Sequence, residues 1–306
     1  GLGDSPRVAA LDKSLLLGMR NAMSRTDREM FADAGTIHIF AVSGLHVMMV
    51  AFLTGSALSI LAIPRSWIAA FLLPILFSYV LVTGARPSAM RAAIMAALYF
   101  GADSFERQRN APVSLALAAL ILYGTNPNLV KDAGCTFSFV VMTGIVVAME
   151  MFAGLADALP TNTLAPRARF IVNSTLATCG VSLVAWAAGV PVAAAAFGKF
   201  APGAILAGPI VVTLASWHIV FSASGMLCAM LWAPIGAVLN NFAAVLMRLM
   251  AGASEGIAAL PGSHFNVAPW GWAKCVLWYA GCIALLLALR KAAVDYIKNH
   301  PDLDEL

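Results

Sequence analysis

The chain has 306 residues, 61% of them hydrophobic and 11% charged, with 19 Lys+Arg against 15 Asp+Glu and a formal charge of +4. A soluble domain keeps about a quarter of its residues charged to cover its surface, so a mean hydropathy of +0.85 excludes a cytosolic enzyme. The charge is too small for wholesale coating of duplex DNA, although a few placed arginines would line a narrow path for a polyanion.

At about 20 apolar residues per membrane crossing, the sequence predicts nine helical segments near 38–63, 67–84, 88–102, 112–124, 134–157, 170–190, 202–222, 226–250 and 267–290. The fold class is an all-α, polytopic integral membrane bundle. Pro74, Pro191, Pro202, Pro209 and Pro234 interrupt segments, so broken or re-entrant helices are expected. Frequent interior Ala and Gly let helix backbones approach closely in lipid. A single crossing by 38–63 brings Arg65, Arg107 with Arg109, and Arg167 with Arg169 to one side, the cytoplasmic one by the positive-inside rule. The same parity puts Arg290 and Lys291 on the far side, so one segment of the second half is expected to re-enter rather than cross.

Residues 1–30 read as a polar juxtamembrane segment, 31–292 as one membrane domain and 293–306 as a polar tail. The start at Gly1 without a signal peptide reads as an excised domain. Cys135, Cys179, Cys228, Cys275 and Cys282 lie in apolar runs with no CxxC and no zinc-like Cys/His spacing. They read as small packing residues, with no disulfide, metal or cofactor implied.

Polar groups at membrane depth are costly unless they face a partner or a wet cavity, so function is sought there. In "HIFAVSGLHV", Ser43 and His46 stand three apart on one helical face, Gly44 allows close backbone approach, and His38 lies two turns earlier. In "TGARPSAMRAA", Gly84 ends one segment and Pro87 opens the next, with Ser88 behind it and Arg86 and Arg91 bracketing the start. Guanidiniums beside a helix N-terminus suit phosphate. In "NPNLVKDAGCTFSFVV", Asp132 is a helix-capping acid before Gly134, with Ser138 on the next turn. Thr175, Thr178 and Ser182 form one polar stripe and Ser216, His218 and Ser222 another, both assigned to hydrogen bonding between helices.

In chain order these motifs resemble the ComEC-type competence family. The first matches H-x-x-A-[IV]-S-G-x-H through His38, Ser43, Gly44 and His46; the second matches G-x-x-P-S-x-x-R-A through Gly84, Pro87, Ser88, Arg91 and Ala92. The third is similar to D-P followed by D-x-G-F-Q-L-S-F, through Pro127, Asp132, Gly134, Ser138 and Phe139, and "LPGSHFNV" is similar near the last helices through Leu260, Pro261 and Gly262. Cys135, Thr136 and Phe137 replace the usual Phe-Gln-Leu, and Gly208 stands where an asparagine is expected.

The resemblance implies a bacterial inner-membrane channel domain that admits single-stranded DNA during natural transformation. Its partners would be the strand, the bilayer, and receptor, nuclease and helicase components, with a homo-oligomer as one arrangement. No H-x-H-x-D-H occurs, so the metal chemistry of a nuclease is assigned to a separate domain or protein. Arg86 and Arg91 are the candidate phosphate contacts, and Ser43, His46, His38 and Ser88 the candidate lining or gating groups. Two other readings stand beside it. One is a rhomboid-like serine hydrolase, with "AVSG" supplying Ser43 and His218 the base; the other is a proton-coupled small-solute transporter using Glu150.

Overall fold

The computed structural model describes residues 5–41, 43–101, 110–152 and 166–299. Among these the helices are α1 (Pro6–Leu17), α2 (Arg25–Asp33), α3 (Gly44–Ile60), α4 (Arg65–Val82), α5 (Pro87–Gly101), α6 (Ala111–Thr125), α7 (Ala133–Phe152), α8 (Pro166–Phe197), α9 (Ala204–Leu231), α10 (Ala233–Ala258) and α11 (Trp272–Asn299). The strands among the described residues are two residues each, Lys199–Phe200 and Phe265–Asn266. The nine predicted segments correspond one to one with α3 to α11. Five helices, α7 to α11, are long and apolar enough to cross a membrane, whereas α3, α4 and α6 are shorter apolar helices. Arg107 and Arg109 of the charge-side argument lie outside the described residues, as do 1–4 and 300–306 at the two ends.

The chain divides into two compact units, Gly1–Phe139 with Ala201–Phe265, and Val140–Phe200 with Asn266–Leu306. In the first, α9 and α10 form a close hairpin: a methyl group on Gly236 would stand 2.5 Å from the Ala229 Cβ, so only glycine permits the approach. One core gathers Leu11 and Leu15 of α1 and Phe31 of α2 against Met247 and Met250 of α10, with Phe40 beside them. The Phe31 and Phe40 rings stand 4.5 Å apart. A second core packs Val47 of α3, Leu72 and Leu76 of α4, and Ala89 and Ala96 of α5.

The polar leading segment, through Asp33, contains two amphipathic helices. Charged groups such as Lys13, Arg25 and Glu29 face outward while Leu11, Leu15 and Phe31 are fully buried. The outward faces of the apolar helices are large hydrophobics, among them Ile60, Leu231 and Leu277. Lipid accounts for that exposure, since hydrocarbon solvates such side chains as well as a protein interior does.

The prolines interrupt less than the sequence suggests. Pro74, Pro191 and Pro209 lie inside continuous helices, and Pro234 sits in the first turn of α10. In the second unit the reason is visible. Proline has no N–H to offer the carbonyl four residues back, and for Pro191 that carbonyl belongs to Ala187. Trp278 Nε1 of α11 donates to it at 2.8 Å, and the Tyr279 hydroxyl donates to the next carbonyl, Ala188, at 2.9 Å. Side chains from a neighbouring helix thus satisfy the backbone that proline frees. Trp186, Phe200 and Trp270 pack around Trp278 with ring centroids 5.7 to 6.2 Å from it.

Two members of the first polar stripe and one of the second are corrected. Thr175 and Thr178 bond to carbonyls of their own helix, Ile171 and Ser174, both at 2.8 Å, and Ser216 likewise bonds to Val212. A hydroxyl reaches the carbonyl four residues back at little entropic cost, so it need not cross to a neighbour. All five cysteines are free thiols, Cys135 buried and Cys179 exposed.

Candidate functional site

The start of α3 is built by Ser43 and His46. The Ser43 N–H donates to His46 Nδ1 at 3.3 Å, and Ser43 Oγ lies 3.2 Å from the same nitrogen. A backbone N–H only donates, so Nδ1 is the acceptor and the neutral ring carries its proton on Nε2. His46 is fully buried, and Nε2 has no hydrogen-bond partner among the described residues. His38 does not share this helix. It lies in a separate 3₁₀ turn, Ile37–Phe40, with Nδ1 3.1 Å from the Gly35 carbonyl and its ring 6.0 Å from that of Phe137.

The second motif opens α5 after a tight reversal in which Gly84 has φ +87° and Ala85 φ +46°. Pro87 is the first helical residue, where a missing N–H costs nothing. The two arginines then part. Arg86 Nη2 donates to the Gly18 carbonyl at 3.1 Å, at the C-terminal end of α1. Arg91 turns inward and is 6% exposed. Ser88 is half-buried.

The third motif caps α7. Asp132 Oδ1 accepts from the Cys135 N–H at 2.6 Å, the capping role expected of it. Gly134 lies beside that carboxylate, and Ser138 is half-buried one turn on.

Arg91 joins the three motifs. A methyl group on Gly44 would stand 3.2 Å from Arg91 Nη2, so the absent side chain at Gly44 makes the space in which the guanidinium lies. Its Cζ sits 5.7 Å from the centre of the Phe139 ring, and Nη1 lies 3.9 Å from the Met95 sulfur. Its Nε has no hydrogen-bond partner, and no carboxylate pairs with it, among the described residues. Segments separated by dozens of residues thus meet on one buried cation.

A family model described as "Competence protein" matches residues 15–292. The chain belongs to the competence-protein family. It is also 28% identical over 162 residues to "ComE operon protein 3" of Bacillus subtilis (strain 168), a stretch covering 52% of this chain and 20% of that relative. The chain therefore matches about a fifth of the relative's length. No solved structure matches. The family match takes in the three motifs that converge on Arg91 and the later turn at Leu260, Pro261 and Gly262. There Gly262 has φ +80°, the Ser263 carbonyl accepts from the Gly203 N–H at 2.9 Å, and His264 Nε2 lies 3.7 Å from Asp33 Oδ2.

A second polar cluster was only half visible in the sequence. His218 Nε2 lies 2.7 Å from Asp12 Oδ1 and Nδ1 lies 2.9 Å from the Ala243 carbonyl, while Ser222 Oγ donates to the same Asp12 oxygen at 3.3 Å. The ring is held between the Asp12 carboxyl group and a backbone carbonyl of α10. The stripe containing His218 and Ser222 was legible on α9. Asp12 was not, because it stands in the polar leading segment 206 residues away. This arrangement bears on the hydrolase reading: Ser43 Oγ meets His46, both nitrogens of His218 are engaged elsewhere, and a Ser43–His218 dyad is not assembled. Glu150 is exposed near the end of α7.

Proposed function

We propose that this chain is the membrane-embedded part of a DNA-uptake machine, passing single-stranded DNA across a bacterial inner membrane into the cytoplasm. Family membership supports competence as the setting. The observation that carries the strand reading is Arg91, a guanidinium 6% exposed, at the junction of three motifs and without a carboxylate among the described residues. Removing such a charge from water costs several kcal/mol, and the single ring contact returns only about 0.5–2 kcal/mol. A bundle needing only structural packing there is better served by methionine or leucine. A passing phosphate makes use of the charge, and meeting one cation at a time lets the strand move on, whereas a dense basic patch would hold it.

In this reading Arg91 is the phosphate contact at the constriction and Arg86 a second one. Ser43, His46 and Ser88 line or gate the path, with His38 beside it. Gly44, Gly84, Pro87, Asp132, Gly134 and Ser138 hold the three motifs in place. The strand reaches the enclosed Arg91 when the start of α3, where Gly44 lies against the guanidinium, moves relative to α5. DNA-receptor, nuclease and helicase components are the proposed partners, and a second copy of the chain is a proposed component of the pore.

The test is uptake of labelled DNA into a nuclease-resistant cytosolic form, in cells whose own gene carries Arg91→Met or Arg91→Lys, at matched membrane abundance. Arg91→Met is expected to leave surface binding intact and lower internalisation at least about a hundredfold, which corresponds to roughly 2.8 kcal/mol. Arg91→Lys, keeping the charge but not the planar fork, is expected to fall between. Normal uptake with Arg91→Met would remove this charge from the mechanism.

A further inference from the structure

The last turn of α1 meets two donors of the membrane bundle. The Tyr79 hydroxyl of α4 donates to the Leu16 carbonyl at 3.2 Å, and Arg86 donates to the Gly18 carbonyl at 3.1 Å. Gly18 has φ +67°, which ends the helix, and Ser14 Oγ donates to the Met19 carbonyl at 3.0 Å, fixing the turn beyond it. His46 is fully buried, with its Nε2 unpartnered among the described residues.

The final carbonyls of a helix lack partners inside the helix and bear the negative end of its dipole, equivalent to about half an elementary charge. Phenol and guanidinium donors are groups that bind phosphate oxygens in nucleic-acid complexes. Here they converge on carbonyl oxygens two residues apart.

We infer that the carbonyl end of α1 occupies a phosphate site formed by Tyr79 and Arg86, and that a strand engages this site only when α1 withdraws. The inference rests on the strand reading above and adds Tyr79 as a ligand and α1 as the group that masks the site. Withdrawal of α1 requires that two polar fastenings give way, Asp12 to His218 and Ser222 at its middle and Arg7 to Asp27 of α2 at its start, and that Leu11 and Leu15 leave the core beneath. An amphipathic helix freed from such a place has a second home at the membrane interface, where its apolar face stays out of water. Withdrawal exposes Tyr79 and Arg86 together.

The experiment uses the full chain in phosphatidylcholine nanodiscs and a short fluorescent poly-dT oligonucleotide, read by anisotropy, with hydrogen exchange of the α1 amides measured in parallel. Asp12→Ala is expected to speed exchange in α1 and tighten oligonucleotide binding about tenfold. Adding Tyr79→Phe and Arg86→Ala to Asp12→Ala is expected to return binding to the wild-type level. Should Asp12→Ala fail to fold, Ser222→Ala loosens the same tether more gently.

Faster α1 exchange with unchanged oligonucleotide binding overturns the masking of the site by α1 and leaves the strand reading standing. Binding by no variant overturns both. Because lipid headgroups share the phosphate chemistry, discs containing phosphatidylglycerol form a second arm. Release that tightens retention of phosphatidylglycerol but not of the oligonucleotide overturns the inference in favour of a lipid.

Discussion

Replacing Gly44 by alanine tests the geometry of the three-motif junction without removing any charge. The added methyl group would lie 3.2 Å from Arg91 Nη2 and 3.6 Å from the Ala92 Cβ. The first distance is shorter than ordinary van der Waals contact, so the guanidinium must shift by a few tenths of an ångström. It has little room, with the Phe139 ring 5.7 Å on one side and the Met95 sulfur 3.9 Å away. Overpacking of this kind costs about 1–3 kcal/mol, with about 1–2 expected for so small a displacement. Against it stands a gain of about 0.4–1 kcal/mol, because alanine has less freedom than glycine in the unfolded chain.

The two contributions separate in a double-mutant cycle. With Arg91→Met the side chain ends short of the Nη2 position, and Gly44→Ala should then be neutral or stabilising. The expected coupling is about 1–2 kcal/mol, measured by reversible denaturation of the purified chain in mixed lipid–detergent micelles. Additivity within about 0.5 kcal/mol would show that Gly44 and Arg91 do not share a contact and would refute the junction as described.

Three further outcomes are expected. Trp278→Phe removes the donor to the Ala187 carbonyl and should cost about 1–3 kcal/mol, whereas in a Pro191→Ala background, where the helix N–H returns, the cost should largely vanish; equal costs in both backgrounds would refute the compensation. Gly35→Ala places a side chain on a residue with φ +73° and sets its methyl 2.5 Å from the Ala204 Cβ, so strain of about 1–2 kcal/mol adds to overpacking of about 1–3; a drop in thermal stability of the folded chain checks it. Asp132→Ala, losing the cap on α7, should cost about 0.5–2 kcal/mol and Asp132→Asn much less, read from the same denaturation curves; equal losses would show that the charge rather than the cap matters.

Much of the architecture was written in local pattern. Nine apolar segments could be read from composition and length because the bilayer sets one length scale and hydrocarbon demands hydrogen-bonded helices. The caps were equally local: Pro87 at a first helical position and Asp132 bonding three residues on are matters of neighbouring residues. The motifs that mark the family were legible for the same reason.

Partnership was not legible, because it depends on which helices the fold brings side by side. Arg86 and Arg91 stand five residues apart in the chain, yet one reaches the end of α1 and the other lies under Gly44 against Phe139. Asp12 read as one charge in a balanced polar segment until packing set it 2.7 Å from His218. Pro191 read as a break until α11 supplied the hydrogen bonds its helix lacks. The sequence by itself determined what kind of molecule this is, where its helices run and which residues are too costly in lipid to be idle. Only the tertiary structure decided which of those residues face one another, since an intramembrane charge or freed carbonyl is satisfied by whatever neighbour packing provides, at any distance along the chain.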